Sequence, residues 1–132
     1  MASWGAAGFS ISQTGILAYQ AGGRAMRRLV WFDRSGKELG FLDGSGEWRT
    51  PHISPDGKRV AFSISADGTE IGSLQVLDAG TGKAVDPPIE GIRGSGAVTW
   101  LEDGSGYFYT RLRQDWASVP ATERFLDNLR HL

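Results

Sequence analysis

Apolar and polar positions alternate along this chain in short runs, and turns containing glycine cut each run before a helix could complete several turns. In Arg59-Val60-Ala61-Phe62-Ser63-Ile64 a period of two places Val60, Phe62 and Ile64 on one face of an extended strand. Leu74 and Val76 share a face in the same way, and Ala61 on the opposite face suits a strand buried on both sides. Glycine supplies 19 of 132 residues, mostly beside Asp, Ser or Thr. That is tight-turn chemistry, because Gly accepts φ > 0 while Asp or Ser caps the turn. The pattern predicts an all-β chain.

The runs recur. Phe9-Ser10-Ile11-Ser12-Gln13-Thr14-Gly15-Ile16-Leu17-Ala18-Tyr19 is echoed by His52-Ile53-Ser54-Pro55-Asp56-Gly57-Lys58-Arg59-Val60-Ala61-Phe62. A third copy runs from Val98 to Tyr109, and the key glycines Gly15, Gly57 and Gly104 lie 42 and 47 residues apart. Between them Leu29-Val30-Trp31-Phe32-Asp33 matches Leu74-Gln75-Val76-Leu77-Asp78, with the two aspartates 45 apart. Each Asp is placed to bond the turn backbone two residues on. Units of four strands at this spacing predict β-propeller blades. One partial propeller is expected over 1–132: blade 1 at about 8–42, blade 2 at about 48–85, and a partial blade 3 at about 97–111, some 2.5–3 blades in all.

The tail, 118–132, carries two readings. Pro120 after Ser118-Val119 suits a helix start, with Phe125, Leu126, Leu129 and Leu132 at helical spacing. Blade context instead makes Arg124–Leu132 a third strand. Residue preferences tip the balance to a short helix.

Composition narrows the chemistry. With a net charge of -1 and scattered basic residues, the surface does not suit nucleic acid. No cysteine is present, so disulfides and thiolate sites are excluded. No apolar run reaches the roughly 20 residues of a membrane span. Met1–Gly5 shows no signal-peptide pattern, which leaves the cytoplasm as the default expectation. The two histidines, His52 and His131, fall in different units with no nucleophile or ligand spacing beside them. Asp56, Asp67 and Asp103 lack the alternating ligands and distal Glu of a calcium loop and read as turn caps. Ser45, Ser95 and Ser105, each between glycines, are turn residues and not a nucleophile elbow. The Gly-Ser-Gly stretches also fail phosphate-loop patterns. No catalytic, metal or cofactor site is expected. Arg24, Arg27 and Arg28, expected in the loop between two strands, form the one basic cluster able to grip a carboxylate or an acidic partner. Trp31, Trp48, Trp100, Phe62, Phe108, Tyr107 and Tyr109 mostly fall on strands and read as filling between blades.

Two resemblances attach to these strings. "FSISQTGILAYQAGGRAMRRLVWFDRSGKELG", residues 9–40, resembles propeller repeats of the TolB-like class, also found behind bacterial receptor-type serine/threonine kinases. From Ile53 to about Arg111, "TEIGSLQVLDAGTGK" and "GAVTWLEDGSGYFYTR" are similar to the N-terminal propeller of prolyl oligopeptidases. The combination suggests a recombined or laboratory-assembled chain. It implies a propeller without hydrolysis, because oligopeptidase catalysis resides in a separate α/β-hydrolase domain. The expected role is structural, or protein- or peptide-binding. The alternative is a peptide-gating module of a serine peptidase.

A propeller closes with at least four blades. Two and a half or three would leave apolar faces and strand edges open, so a homo-oligomer is expected, with a dimer favoured. In one version Met1–Gly5 supplies a fourth strand and the tail a third, and two chains make a six-bladed ring by exchanging terminal strands; in the alternative the tail helix covers the open end of a monomer.

Overall fold

The computed structural model describes residues 9–21, 28–43, 47–65, 70–93 and 98–132. Three antiparallel sheets follow one another along the chain. The first joins β1 (Phe9–Ile11), β2 (Leu17–Ala21), β3 (Arg28–Phe32) and β4 (Glu38–Asp43) in sequence order. A second joins β5 (Glu47–Ile53), β6 (Arg59–Ser65), β7 (Ile71–Asp78) and β8 (Ile89–Arg93) in the same way. The third holds β9 (Thr99–Trp100), β10 (Gly106–Leu112) and β11 (Phe125–His131), in the order β11-β10-β9. This is an open row of propeller blades. Met1–Gly5, one proposed source of a further strand, lies outside the described residues.

Turn chemistry sets the hairpins. Gly57 takes φ 74° in the turn between β5 and β6, a region closed to most side chains. The turn closes with Ser54 N–H on the Arg59 carbonyl, and its counterpart in blade 3 with Leu101 N–H on that of Gly106. Blade 1 closes one residue sooner, Ser12 N–H bonding the Ile16 carbonyl. Counting from these closures makes Ala18, Ala61 and Phe108 equivalent, and likewise Leu17, Val60 and Tyr107.

That equivalence organises the core. Ala18, Leu29 and Trp31 of blade 1 pack on Ile53, Val60, Phe62 and Leu77 of blade 2. The opposite face of blade 2, Ala61, Leu74, Val76, Ile89 and Ile92, packs on Val98 and Tyr107 of blade 3. Each blade thus has a leading face toward its predecessor and a trailing face toward its successor. Small Ala18 and Ala61 on the trailing faces let the large leading residues approach. The sheet of blade 1 is also tightly packed within itself: a Cβ on Gly40 would sit 2.9 Å from the Trp31 ring.

Polar links tie the blades together. Ser10 Oγ accepts from Ile53 N–H at 3.0 Å, and Trp100 Nε1 donates to the His52 carbonyl at 3.1 Å. The first strands of successive blades are thereby joined. Arg130 grips Asp86 in bidentate fashion at 3.1 and 3.2 Å, linking blade 3 to blade 2.

The tail forms a strand, and the helix that residue preference favoured does not appear. Two single-turn 3₁₀ segments, Trp116–Ser118 and Ala121–Glu123, lead into β11. The whole of β10, Gly106–Leu112, offers a ladder to β11, and that pairing overrides helix propensity. Blade 2 likewise extends beyond Val85. Pro87-Pro88 interrupts the ladder after the Leu77–Ala84 bridge, and β8 then resumes pairing with the first half of β7.

Phe62 is 1% exposed at the centre of the first blade junction. Phe62→Ala is expected to cost about 3–5 kcal/mol of unfolding free energy by urea titration, whereas Lys37→Ala in an exposed turn should cost under about 0.5 kcal/mol.

Candidate functional site

Of the predicted basic cluster, Arg24 and Arg27 lie outside the described residues. Arg28 opens β3, exposed, with its guanidinium 5.2 Å over the Phe41 ring. It therefore stands on the leading face of blade 1, among aromatic rings, and not in a loop.

That face is the most developed surface of the described residues. Strand register places Phe9 beside Tyr19, Ile11 beside Leu17, Tyr19 beside Val30, Leu17 beside Phe32, and Val30 beside Phe41. All share one side of the sheet. Tyr19 and Phe32 stack at 5.4 Å. An open groove of about 620 Å³ runs here between Ile11, Leu17, Tyr19, Phe32 and the Arg34 side of the β3–β4 turn. A second groove of about 380 Å³ lies where Ile16, Trp31 and Leu39 meet Lys58 and Asp78. Both suit apolar groups with a few polar contacts.

The acidic turns are committed to their own backbones. Asp33 Oδ1 accepts from Ser35 Oγ at 2.6 Å, Ser35 N–H at 2.8 Å and Lys37 N–H at 3.1 Å. The Ser35 hydroxyl, then Lys37 N–H, hold its carboxyl below the ordinary range. Asp78 is held low by Thr81 N–H and then the Thr81 hydroxyl, and Asp103 by the Ser105 hydroxyl. At Asp56 burial pushes upward, but bonds from Ser54 Oγ and Lys58 N–H outweigh it. These carboxylates cap turns, as their spacing suggested, while Asp67 falls outside the described residues. Among the described residues no three His, Asp or Glu side chains gather as a metal site would need.

His52 sits half-buried on β5, where burial lowers its pKa. His131 is exposed near the end of β11 in a different blade. Ser105 donates to Asp103 at 2.6 Å and is a turn hydroxyl; Ser45 and Ser95 lie outside the described residues. Tyr107, buried and near the Asp86 charge, has its pKa pushed up to about 12, so it stays protonated and packs.

One feature escaped sequence reasoning. Thr50 adopts φ 43°, rare for a β-branched residue, inside a bulge between Arg49 and His52 on β5. Pro51, buried next to it, has no N–H for a ladder. Thr-Pro inside a strand was the available signal.

Antiparallel sheets stacked leading face on trailing face make this an open fragment of a β-propeller. The chain belongs to the prolyl oligopeptidase family: the profile of the prolyl oligopeptidase N-terminal β-propeller domain matches residues 44–125. It is 34% identical over 85 residues to a prolyl endopeptidase of Elizabethkingia miricola and 33% identical to that of Elizabethkingia meningoseptica. Each alignment covers 59% of this chain and 12% of the relative, so the chain spans a small part of their length. Among solved structures, one from a study of two prolyl endopeptidases and their inter-domain dynamics matches with TM-score 0.75 at 25% identity. It covers 90% of this chain and 19% of that one. The propeller domain of the Trilobed protease from Pyrococcus furiosus, described as an open velcro, matches with TM-score 0.63 at 17% identity. There the coverage is 93% and 38%, and the likeness bears on the fold. The family match begins after β4, so the relation of blade 1 to TolB-type repeats rests on its sequence string.

Two titrations follow. The turn aspartates have folded pKa values below their unfolded ones, so their stabilisation is present above about pH 4 and lost as pH falls through the folded values. His52, also lowered, stabilises the fold above about pH 6.5 and loses that contribution as pH falls toward its folded value. Urea midpoints measured from pH 8 to 3 should decline in both windows, and His52→Gln should remove only the upper decline.

Proposed function

We propose that this chain is a non-catalytic propeller segment that works through its surfaces, as a scaffold that binds protein or peptide, its ring completed by self-association. The supporting observation, among the described residues, is the set of exposed apolar side chains on blades 1 and 3. On blade 1, Phe9 is 54% and Ile11 62% exposed, and on blade 3 Phe108 is 49% exposed. Surfaces this apolar serve contact with other protein. The Asp and Ser side chains of the turns are engaged in capping, and a propeller of this family contributes shape and a channel.

The family match favours a second reading, in which these blades gate peptide entry to a serine peptidase domain. Binding of the chain to a separately produced hydrolase domain of this family, seen by calorimetry, would raise that reading above the first.

Size-exclusion chromatography with light scattering tests the leading proposal. The expected mass is twice the 14.3 kDa of one chain. A monomer at all concentrations contradicts self-association, and turnover of a chromogenic prolyl peptide by the purified chain contradicts the non-catalytic role.

A further inference from the structure

We infer that the groove between blades 1 and 2 holds the C-terminal residue of a peptide, with its carboxylate on Lys58, its backbone N–H on the Gly57 carbonyl and its apolar side chain against Trp31 and Ile16. The inference rests on the peptide-binding reading and names the site and the end of the peptide that is held; self-association plays no part in it. Four observations carry it.

First, described residues of adjoining blades enclose the groove. Ile16, Trp31 and Leu39 of blade 1 face Lys58 and Ala79 of blade 2 around about 380 Å³. The turns at this end of both sheets, 12–16, 33–37, 54–58 and 79–83, are all described. The volume falls at the small end of ligand pockets, which span about 300–1,000 Å³, and suits one or two residues, not a folded element.

Second, the chain shows how the same place is filled one junction later. The turns at Gly57 and Gly104 are equivalent, each glycine donating its N–H to the carbonyl three residues back at 2.9 Å. Across the second junction Arg59 Nη1 donates to the Gly104 carbonyl at 2.7 Å. Ile16, which precedes leading Leu17 as Arg59 precedes leading Val60, has no donor to give. Among the described residues the Gly57 carbonyl accepts no hydrogen bond, although Gly57 is buried. Leu132 N–H bonds the Ser105 carbonyl as Ala79 N–H bonds that of Lys58, so Leu132 packs where Ala79 leaves space.

Third, the cation beside the groove is unpaired. Lys58 is exposed, and among the described residues its ammonium enters no ion pair, with Asp56 in its field at longer range. Asp78 also borders the groove, but its carboxylate is bent back on Gly80 and Thr81 N–H and lies in the field of Arg59. The groove therefore asks for an anion and an N–H together. A terminal residue carries both on the carbon that bears its side chain, and capture of a C-terminal carboxylate is a recurring mode of peptide recognition.

Fourth, Trp31 Nε1 is buried without a hydrogen-bond partner. Such a deficit costs stability until an acceptor reaches it, and a ligand carboxylate is an acceptor of the kind it lacks.

Titration of acetyl-Gly-Gly-Leu into the full chain, followed by two-dimensional amide NMR, tests this. Saturable shifts are expected at Gly57, Lys58, Ala79 and Gly80, with a Kd of roughly 1 mM or tighter. The C-terminal amide of the same peptide should bind about tenfold more weakly, the loss of one charge-assisted hydrogen bond. Isocaproate, which lacks the N–H, should also bind more weakly than the peptide. Lys58→Met should erase the preference for acid over amide. Ala79→Leu, which copies Leu132, should abolish binding while far-UV dichroism keeps its β signature. Equal binding of acid and amide, a preference that survives in Lys58→Met, or shifts confined to other residues overturns the inference. If the chain is dimeric by light scattering yet these amides do not shift, the groove inference falls while self-association stands. A monomer that binds the acid form in this way keeps the inference and removes self-association.

Discussion

A β-sheet that is apolar on both sides is stable only between two others, and the chain is arranged around that constraint. Blade 2 meets it fully. On β6, Val60 and Ala61 are both 0% exposed and Phe62 is 1%, so consecutive residues are buried in opposite directions against different neighbours. Side-chain size then decides how close the sheets come. Alanine on the trailing side leaves space that leading valine and phenylalanine occupy, as dense packing requires. Hydrogen bonds from Trp100 and to Ser10 fix how the first strands meet, while Arg130 on Asp86 holds blade 3 against rotation on blade 2.

The turns make this stacking repeatable. Asp33, Asp78 and Asp103 each fold a carboxylate oxygen back on N–H and O–H donors of the next few residues. Such a carboxylate satisfies backbone that sheet pairing leaves over, and it is then poorly placed to act as a ligand or a general base. Polar chemistry of these turns is thus consumed locally in building hairpins.

Much of this was legible in the sequence because both repeat signals are local. The period of two in Val60-Ala61-Phe62 encodes which side each residue takes, and Asp33 and Asp78 encode the turns that follow them. What was not legible depends on contacts distant in sequence. Residues 125–131 have helical preferences, and only the ladder offered by β10 makes them a strand. β8 is hidden behind Pro87-Pro88 because its partner is the first half of β7. The Arg28 side chain reads as loop charge until Phe41, thirteen residues on, is brought beneath it by the β3–β4 hairpin. The Thr50 bulge is a backbone choice that propensity disfavours, so tertiary context alone can impose it.

The residues on the outermost faces bear on what those faces are for. In a row of repeats, a face meant for water is made polar, since an apolar one promotes association. Among the described residues, blade 1 is apolar on its leading side. Its leading positions hold Leu17 and Tyr19, as bulky as the Val60 and Phe62 that blade 2 buries at the same places, with Phe32 stacked against Tyr19. Blade 3 likewise exposes Phe108, Phe125 and Leu129 on its trailing side, interrupted by the single charge of Asp127. The described residues of both faces have the composition of the surfaces that blade 2 buries. The two faces differ in kind, one leading and one trailing. Blade 3 departs from the internal pattern at one place: Phe108 stands where Ala18 and Ala61 supply the small side chain of the two internal junctions.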